Sequence, residues 1–173
     1  MSAKDIERAL SRIALQILEQ NSDIENLAVI GIHSGGVYLA DRIEKIINKR
    51  EKIHLPVGSL DITLYRDDWS LASQNPVVKK TDINFTVEGK TIILVDDVIF
   101  TGRTIRAAMD AIMDFGRPRA IQLAVLVDRN GRELPIQADY VGIGVSVRPE
   151  EHVHVLLKET DDKNAVILAP SNK

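Results

Sequence analysis

Apolar residues recur along the chain with two alternating periods. Ile6, Leu10, Ile13, Ile17 and Leu18 fall on one face at helical spacing, so a helix is predicted that ends near Gln20. Ser2 and Asp5 form a loose capping box at its start. Leu27 to Ile32 is a short apolar strand, broken by His33-Ser34-Gly35-Gly36. Val37 to about Arg50 reads as a second helix, with Leu39, Ile43, Ile46 and Ile47 facing inward. Leu55 to Tyr65 is extended and partly alternating, with Leu60, Ile62 and Leu64 set against Asp61, Thr63 and Tyr65. Arg66 to about Phe85 is long, polar and weakly patterned, which predicts a lid or a disordered loop.

The second half resumes the alternation. Ile92 to Val95 is a fully buried strand that ends at Asp96-Asp97, and Ile105 to Phe115 is a helix stopped by Gly116 and Pro118. Ala120 to Val127 is another buried strand, followed by a loop from Asp128 to Glu133. Tyr140 to Val147 is a strand interrupted by Gly142 and Gly144; Val153 to Leu157 and Val166 to Leu168 are short terminal strands. Strands alternating with helices predict one α/β domain over 1–173, built on a mostly parallel sheet covered on both faces, with a small appended β segment.

Composition narrows the field. A chain of 173 residues, 45% hydrophobic and 27% charged, is long enough for one sizeable core. The absence of cysteine excludes disulfides, thiolate metal sites and a cysteine nucleophile. The beginning of the chain carries no apolar signal core, and no apolar run reaches membrane-spanning length, so a cytoplasmic protein without a membrane partner is expected. A net charge of −3 argues against a general nucleic-acid coat while allowing a local basic face.

The chemistry concentrates in Ile92-Ile-Leu-Val-Asp-Asp-Val-Ile-Phe-Thr-Gly-Arg-Thr104. A strand leading through a hydroxyl-rich loop with glycine to a helix N-terminus makes an anion seat, because free N–H groups and the helix dipole point at the loop. Two carboxylates beside it would repel a bare phosphate. They make sense for a ligand that also carries a vicinal diol or a divalent metal, and a sugar phosphate satisfies both halves. No Gly-x4-Gly-Lys-Ser/Thr occurs, which argues against a P-loop nucleoside triphosphatase. His33-Ser34-Gly35-Gly36 follows the other strand and is either a pyrophosphate loop or a plain tight turn. Arg66 is placed to clamp a phosphate bidentately, beside Asp67-Asp68 and Trp69. Asp128 and Arg129 line the same crevice or, with Arg132 and Arg148, are ordinary surface charges. No His/Asp/Glu set has metal-site spacing.

The stretch from Ile92 to Thr104 resembles the signature of type I phosphoribosyltransferases, which bind 5-phosphoribosyl-1-pyrophosphate (PRPP). Together with Gly58-Ser-Leu-Asp-Ile-Thr-Leu-Tyr-Arg-Asp-Asp68, Gly116-Arg-Pro-Arg-Ala-Ile-Gln-Leu-Ala-Val-Leu-Val-Asp-Arg129 and Arg132-Glu-Leu-Pro-Ile136, it is similar to the PyrR family of bifunctional pyrimidine operon regulators and uracil phosphoribosyltransferases. The resemblance runs from about Asp5 to Val155. It implies a type I phosphoribosyltransferase-like α/β fold with a small β hood formed by the chain-terminal segments. The implied reaction is uracil plus PRPP giving UMP and pyrophosphate, with Mg2+ carried on PRPP.

By position the resemblance implies that Asp96 and Asp97 hold the ribose hydroxyls, with Arg66 as a further catalytic group. The PRPP loop comprises Val98, Ile99 and Phe100, then Thr101, Gly102, Arg103 and Thr104 at the 5-phosphate. Ser34 and Gly35 lie at the pyrophosphate, 66–85 is the lid, and Phe100, Asp128 and Arg129 face the base. Purine enzymes place an acid before Thr-Gly; Phe100 stands there instead, which argues against a purine substrate. The resemblance also implies a homodimer or homotetramer and, for many members, UMP-dependent binding of pyrimidine-operon leader RNA. Leu15, Gln137 and Ile143-Gly144 replace basic or polar residues of RNA-binding members, and Gly35 replaces an arginine common in the pyrophosphate loop. Arg8, Arg12, Arg42, Lys45, Arg148, His152 and His154 are the candidate RNA face. Three readings follow: an enzyme that also regulates, a UMP-sensing attenuator with little activity, and a purine salvage enzyme.

Overall fold

The computed structural model describes residues 1–67, 79–148 and 150–170. Asp68, Trp69 and the centre of the expected lid lie outside the described residues. Helix α1 (Ala3–Gln20) starts at the expected capping box: Asp5 N–H donates to Ser2 Oγ, and Ser2 N–H donates to the Asp5 carboxylate at 2.9 Å. Strand β1 (Leu27–Ile32) leads to α2 (Gly35–Glu51), and β2 (Val57–Leu60) follows. Then come β3 (Thr91–Ile99), α3 (Arg103–Met113), β4 (Ala120–Arg129) and β5 (Tyr140–Val145). Strands β6 (Glu151–Leu156) and β7 (Ala165–Pro170) flank a one-turn helix α4 (Lys158–Asp161).

Five parallel strands form the central sheet in the order β2-β1-β3-β4-β5, and β6 and β7 pair antiparallel in a second sheet. The chain's first residue adds to that second sheet, since the Met1 amino group donates to Val166 O at 2.7 Å and Val166 N–H donates back to Met1 O at 3.0 Å. Strand alternation divides the core. Leu27, Val29, Ile93, Val95 and Leu126 face α1 and α2, where Ile6, Leu10, Ile13, Ile17, Leu39, Ile43 and Ile47 meet them. Ala28, Ile30, Ile92, Leu94, Leu123 and Val125 face α3, against Ile105, Ala108 and Ile112. No helix of the described residues is long and apolar enough to cross a membrane.

Several boundaries differ from the sequence pattern, each for a local reason. The extended stretch from Leu55 shortens to β2, because the Asp61 carboxylate accepts the Thr63 N–H at 2.8 Å and turns the chain into a single 3-10 turn at Thr63–Tyr65. Leu64, expected inside, is consequently 68% exposed. Strand β5 is continuous through Gly142 and Gly144 because it follows β4 in register. Asp128 and Arg129 belong to β4 rather than to the loop after it.

One buried polar cluster joins α1 to the sheet. Tyr140, 1% exposed, donates its hydroxyl to Gln122 Oε1 at 2.8 Å and accepts from Asn21 Nδ2 at 3.2 Å. Replacing Tyr140 by Phe leaves part of that network without its partner, so unfolding free energy should fall by about 1–2 kcal/mol. Denaturant titration with an unchanged slope is the check.

Candidate active site

The sheet order reverses between β1 and β3, since β1 continues outward to β2 and β3 to β4. In open parallel sheets that reversal leaves a crevice at the carboxyl ends of the two strands. Here β1 pairs with β3 only as far as Gly31 opposite Val95, whereas β3 stays paired with β4 through Ile99 opposite Asp128. From Asp96 onward, β3 is therefore flanked by a strand on one side and open to the crevice on the other. Asp96 and Asp97 do not follow the strand, as the sequence suggested; they lie within it, because β4 extends equally far.

Both helices that border the crevice begin two residues earlier than the apolar periodicity indicates, α2 at Gly35 and α3 at Arg103. The α2 cap Ser34 makes no capping bond to its helix, and at α3 the cap position is Gly102, which has no side chain to offer. Two uncapped helix N-termini thus point their N–H groups at one space. Gly36 makes the approach possible: a Cβ there would lie 2.3 Å from Val95 O. Gly102 has φ of +91°, a conformation that favours glycine.

The crevice has a volume of about 430 Å3. Ser34, Gly35, Arg66, Asp96, Asp97, Val98 and Thr104 line it together. An adjoining recess of about 150 Å3 is bounded by Arg66, Asp67, Thr101, Arg103 and Thr104. Arg103 N–H donates to Thr101 Oγ1 at 3.3 Å, while the Arg103 guanidinium is paired with Asp67 and Glu133, each at 2.6 Å. Ile99 is 1% exposed and packs toward α3, so its side chain belongs to the core.

Asp61, Thr63 and Lys79, to which the sequence reading gave no individual role, also line the crevice, as does His33. The Lys79 ammonium donates to Ser34 Oγ, and Lys79 N–H donates to the Asp61 carboxylate. The one available signal was Asp61-x-Thr63 directly after a strand, a turn-forming spacing.

The carboxyl groups differ in acidity by environment. Burial pushes the Asp96 carboxyl well above the ordinary aspartate value of 3.8, and repulsion from neighbouring Asp97 adds to it. Burial also raises Asp97, partly offset by the Val98 N–H, which donates to it at 2.8 Å. Burial raises Asp61 as well, but bonds from the Thr63 hydroxyl and N–H and from Lys79 N–H outweigh it and leave that carboxyl lowered. An adjacent pair that resists full ionisation gains from hydroxyl donors or a cation.

Phe100, Asp128 and Arg129 also come together. The Arg129 guanidinium lies 4.0 Å over the Phe100 ring, and Gly131 covers that ring so closely that a Cβ would sit 2.2 Å from it. Phe100 nonetheless stays 39% exposed. Asp128 borders a cleft of about 480 Å3 with Gly131, Arg132, Leu134, Ile136 and Gln137. The proposed RNA face is partly engaged within the fold: Arg12 donates to the carbonyls of Val141 and Gly142, and Arg42 is paired with Glu159 at 2.5 Å.

A phosphoribosyl transferase domain model matches residues 2–167, so the chain belongs to the phosphoribosyltransferases and is an enzyme of that class. A hypoxanthine-guanine phosphoribosyltransferase from Bacillus anthracis shares the fold, with a TM-score of 0.70 over 98% of this chain and 95% of that one, at 23% identity. Within the class the chain belongs to the PyrR family. It is 56% identical to the bifunctional protein PyrR of Caldicellulosiruptor bescii over 97% of this chain and 92% of that protein. It is 52% identical to that of Syntrophobacter fumaroxidans over 97% and 90%.

Proposed function

We propose that this chain transfers the phosphoribosyl group of PRPP to uracil, giving UMP and pyrophosphate, in the cytoplasm, and that UMP-dependent binding of pyrimidine-operon leader RNA is its second activity. The observation that carries the enzymatic reading is the Asp96–Asp97 pair at the open edge of β3, set between two helix N-termini. The pair accepts the two ribose hydroxyls. The α3 N-terminus with Thr101 and Thr104 seats the 5-phosphate, and the α2 N-terminus with Ser34 and Gly35 seats the pyrophosphate. Arg66 bridges the two seats, lining both the crevice and the recess.

Breaking the bond from C1 to pyrophosphate develops oxocarbenium character on the sugar. Fixing both hydroxyls holds C1 in line with the acceptor nitrogen, and positive charge on the sugar is favoured beside two carboxylates. The uracil N1 proton leaves as the new bond to C1 forms. Phe100 occupies the position where purine enzymes carry an acid, so no side chain there takes that proton, which passes to water or to the departing pyrophosphate. Among the described residues no group of three or more acidic, His or Cys side chains is arranged to cage a metal. Asp96 and Asp97 beside a polyphosphate suit Mg2+ carried on PRPP, and such an ion would supply charge neutralisation for the departing pyrophosphate.

Pyrophosphate release with uracil, hypoxanthine and guanine as alternative acceptors tests the reading; release with uracil alone supports it, and release with purines replaces it. Thr101→Ala should raise the KM for PRPP by roughly tenfold, the worth of a hydrogen bond to a charged group, with little effect on the KM for uracil. The opposite pattern contradicts the phosphate seat. For the second activity, leader-hairpin binding should be stimulated by UMP and weaken steeply with salt.

A further inference from the structure

Arg132 fastens together three stretches of chain that meet at the cleft after β4. Its Nε donates to Ile136 O at 2.9 Å, and one terminal nitrogen donates to Phe100 O at 2.8 Å and Arg129 O at 3.0 Å. The other terminal nitrogen donates to the Asp128 carboxylate at 2.7 Å. Only a planar fork of donors reaches four acceptors in this arrangement. The side chain is 24% exposed, so these bonds are substantially shielded from water. The backbone reinforces the same junction: Glu133 N–H and Leu134 N–H both donate to Thr101 O, at 3.0 and 3.1 Å. Phe100 and Thr101 belong to the loop that seats the 5-phosphate, and Asp128 borders the cleft.

We infer that Arg132 is a positioning residue for the acceptor base: it orients the Asp128 carboxylate and holds the cleft wall against the phosphate-seating loop. The inference rests on the reading of Phe100, Asp128 and Arg129 as the base subsite. Uracil carries an N3–H donor, and a carboxylate fixed on one oxygen by Arg132 keeps its other oxygen for such a donor. Arg132 thereby acts on base binding through Asp128 and leaves the ribose and phosphate contacts to other residues.

The test is steady-state kinetics of Arg132→Gln, Arg132→Lys and Arg132→Ala, with melting temperature measured alongside. Loss of charged hydrogen bonds should raise the KM for uracil roughly 10- to 100-fold while the KM for PRPP changes by less than about threefold. Lysine, a point charge without the fork, should not restore it, whereas added guanidinium should lower the uracil KM of Arg132→Ala. An unchanged uracil KM overturns the inference. So does a parallel rise of both KM values with a falling melting temperature, the mark of a merely structural arginine. If the wild-type enzyme uses another base in place of uracil, the substrate assignment fails by itself, and the same KM split is read with that base.

Discussion

Replacing Asp96 and Asp97 together by asparagine should abolish phosphoribosyl transfer without unfolding the protein. The carboxyl groups share a confined site in which burial raises both pKa values and mutual repulsion raises that of Asp96 further. In the unliganded enzyme this pair is destabilising once ionised, and on the proposed ribose assignment PRPP relieves the cost by offering two hydroxyl donors. The neutral variant loses that relief together with the cost. Turnover should drop by at least about 10²-fold, the usual penalty for misplacing a reacting group, while the melting temperature at neutral pH stays level or rises.

The pH dependence has a defined sign. A carboxyl whose folded pKa is raised binds its proton more tightly in the folded than in the unfolded state. Its contribution to stability therefore declines as pH rises from the ordinary 3.8 through the raised value. The stability gained by the double variant over wild type should accordingly grow across that window and be absent below it. PRPP binding to wild type should weaken as pH falls through the same window. Near-normal turnover in the double variant would remove the ribose assignment.

Gly36→Ala should damage both fold and site, and Gly35→Ala the site alone. Helix propensity by itself favours alanine over glycine by about 1 kcal/mol. At position 36 the added carbon would lie 2.3 Å from Val95 O and 3.1 Å from Asp96 Cα, both backbone of a central strand. Neither atom yields cheaply, so α2 must retreat from β3. Overpacking of this kind costs about 1–3 kcal/mol, a fall of very roughly 2–12 °C in melting temperature for a domain of this size. The retreat also moves the pyrophosphate seat and Asp96, so the KM for PRPP should rise. At position 35 the contacts are Asp97 Oδ2 at 2.4 Å, Cγ at 2.9 Å and Cβ at 3.0 Å, side chain rather than strand backbone. There the melting temperature should hold while the KM for PRPP increases. Equal melting temperatures for wild type and Gly36→Ala would contradict the close packing of α2 on β3.

The features legible in the sequence were those that depend on local pattern. Four apolar residues fix the strand before Asp96, and the capping box at Ser2 marks the start of α1 within a residue. Helix starts at Gly35 and Arg103 were hidden because glycine and a polar loop suppress the apolar period just where the two helices border the crevice. The extension of β3 through Asp96 and Asp97, and of β4 through Arg129, comes from pairing between strands distant in sequence. Charged residues inside a strand carry no local sign of that pairing. Lys79 reaches the crevice only because the chain returns beside β2, where Ser59 and Asp82 exchange backbone hydrogen bonds. Arg132 looked like a surface charge because its acceptors are mostly backbone carbonyls, which a sequence does not display.

The most direct test is conversion of labelled uracil to labelled UMP by the full chain, with PRPP and Mg2+ present together and each omitted in turn. The account predicts UMP formed in proportion to PRPP consumed, and none without PRPP. PRPP hydrolysis without label transfer, or transfer to hypoxanthine or guanine in place of uracil, would contradict it.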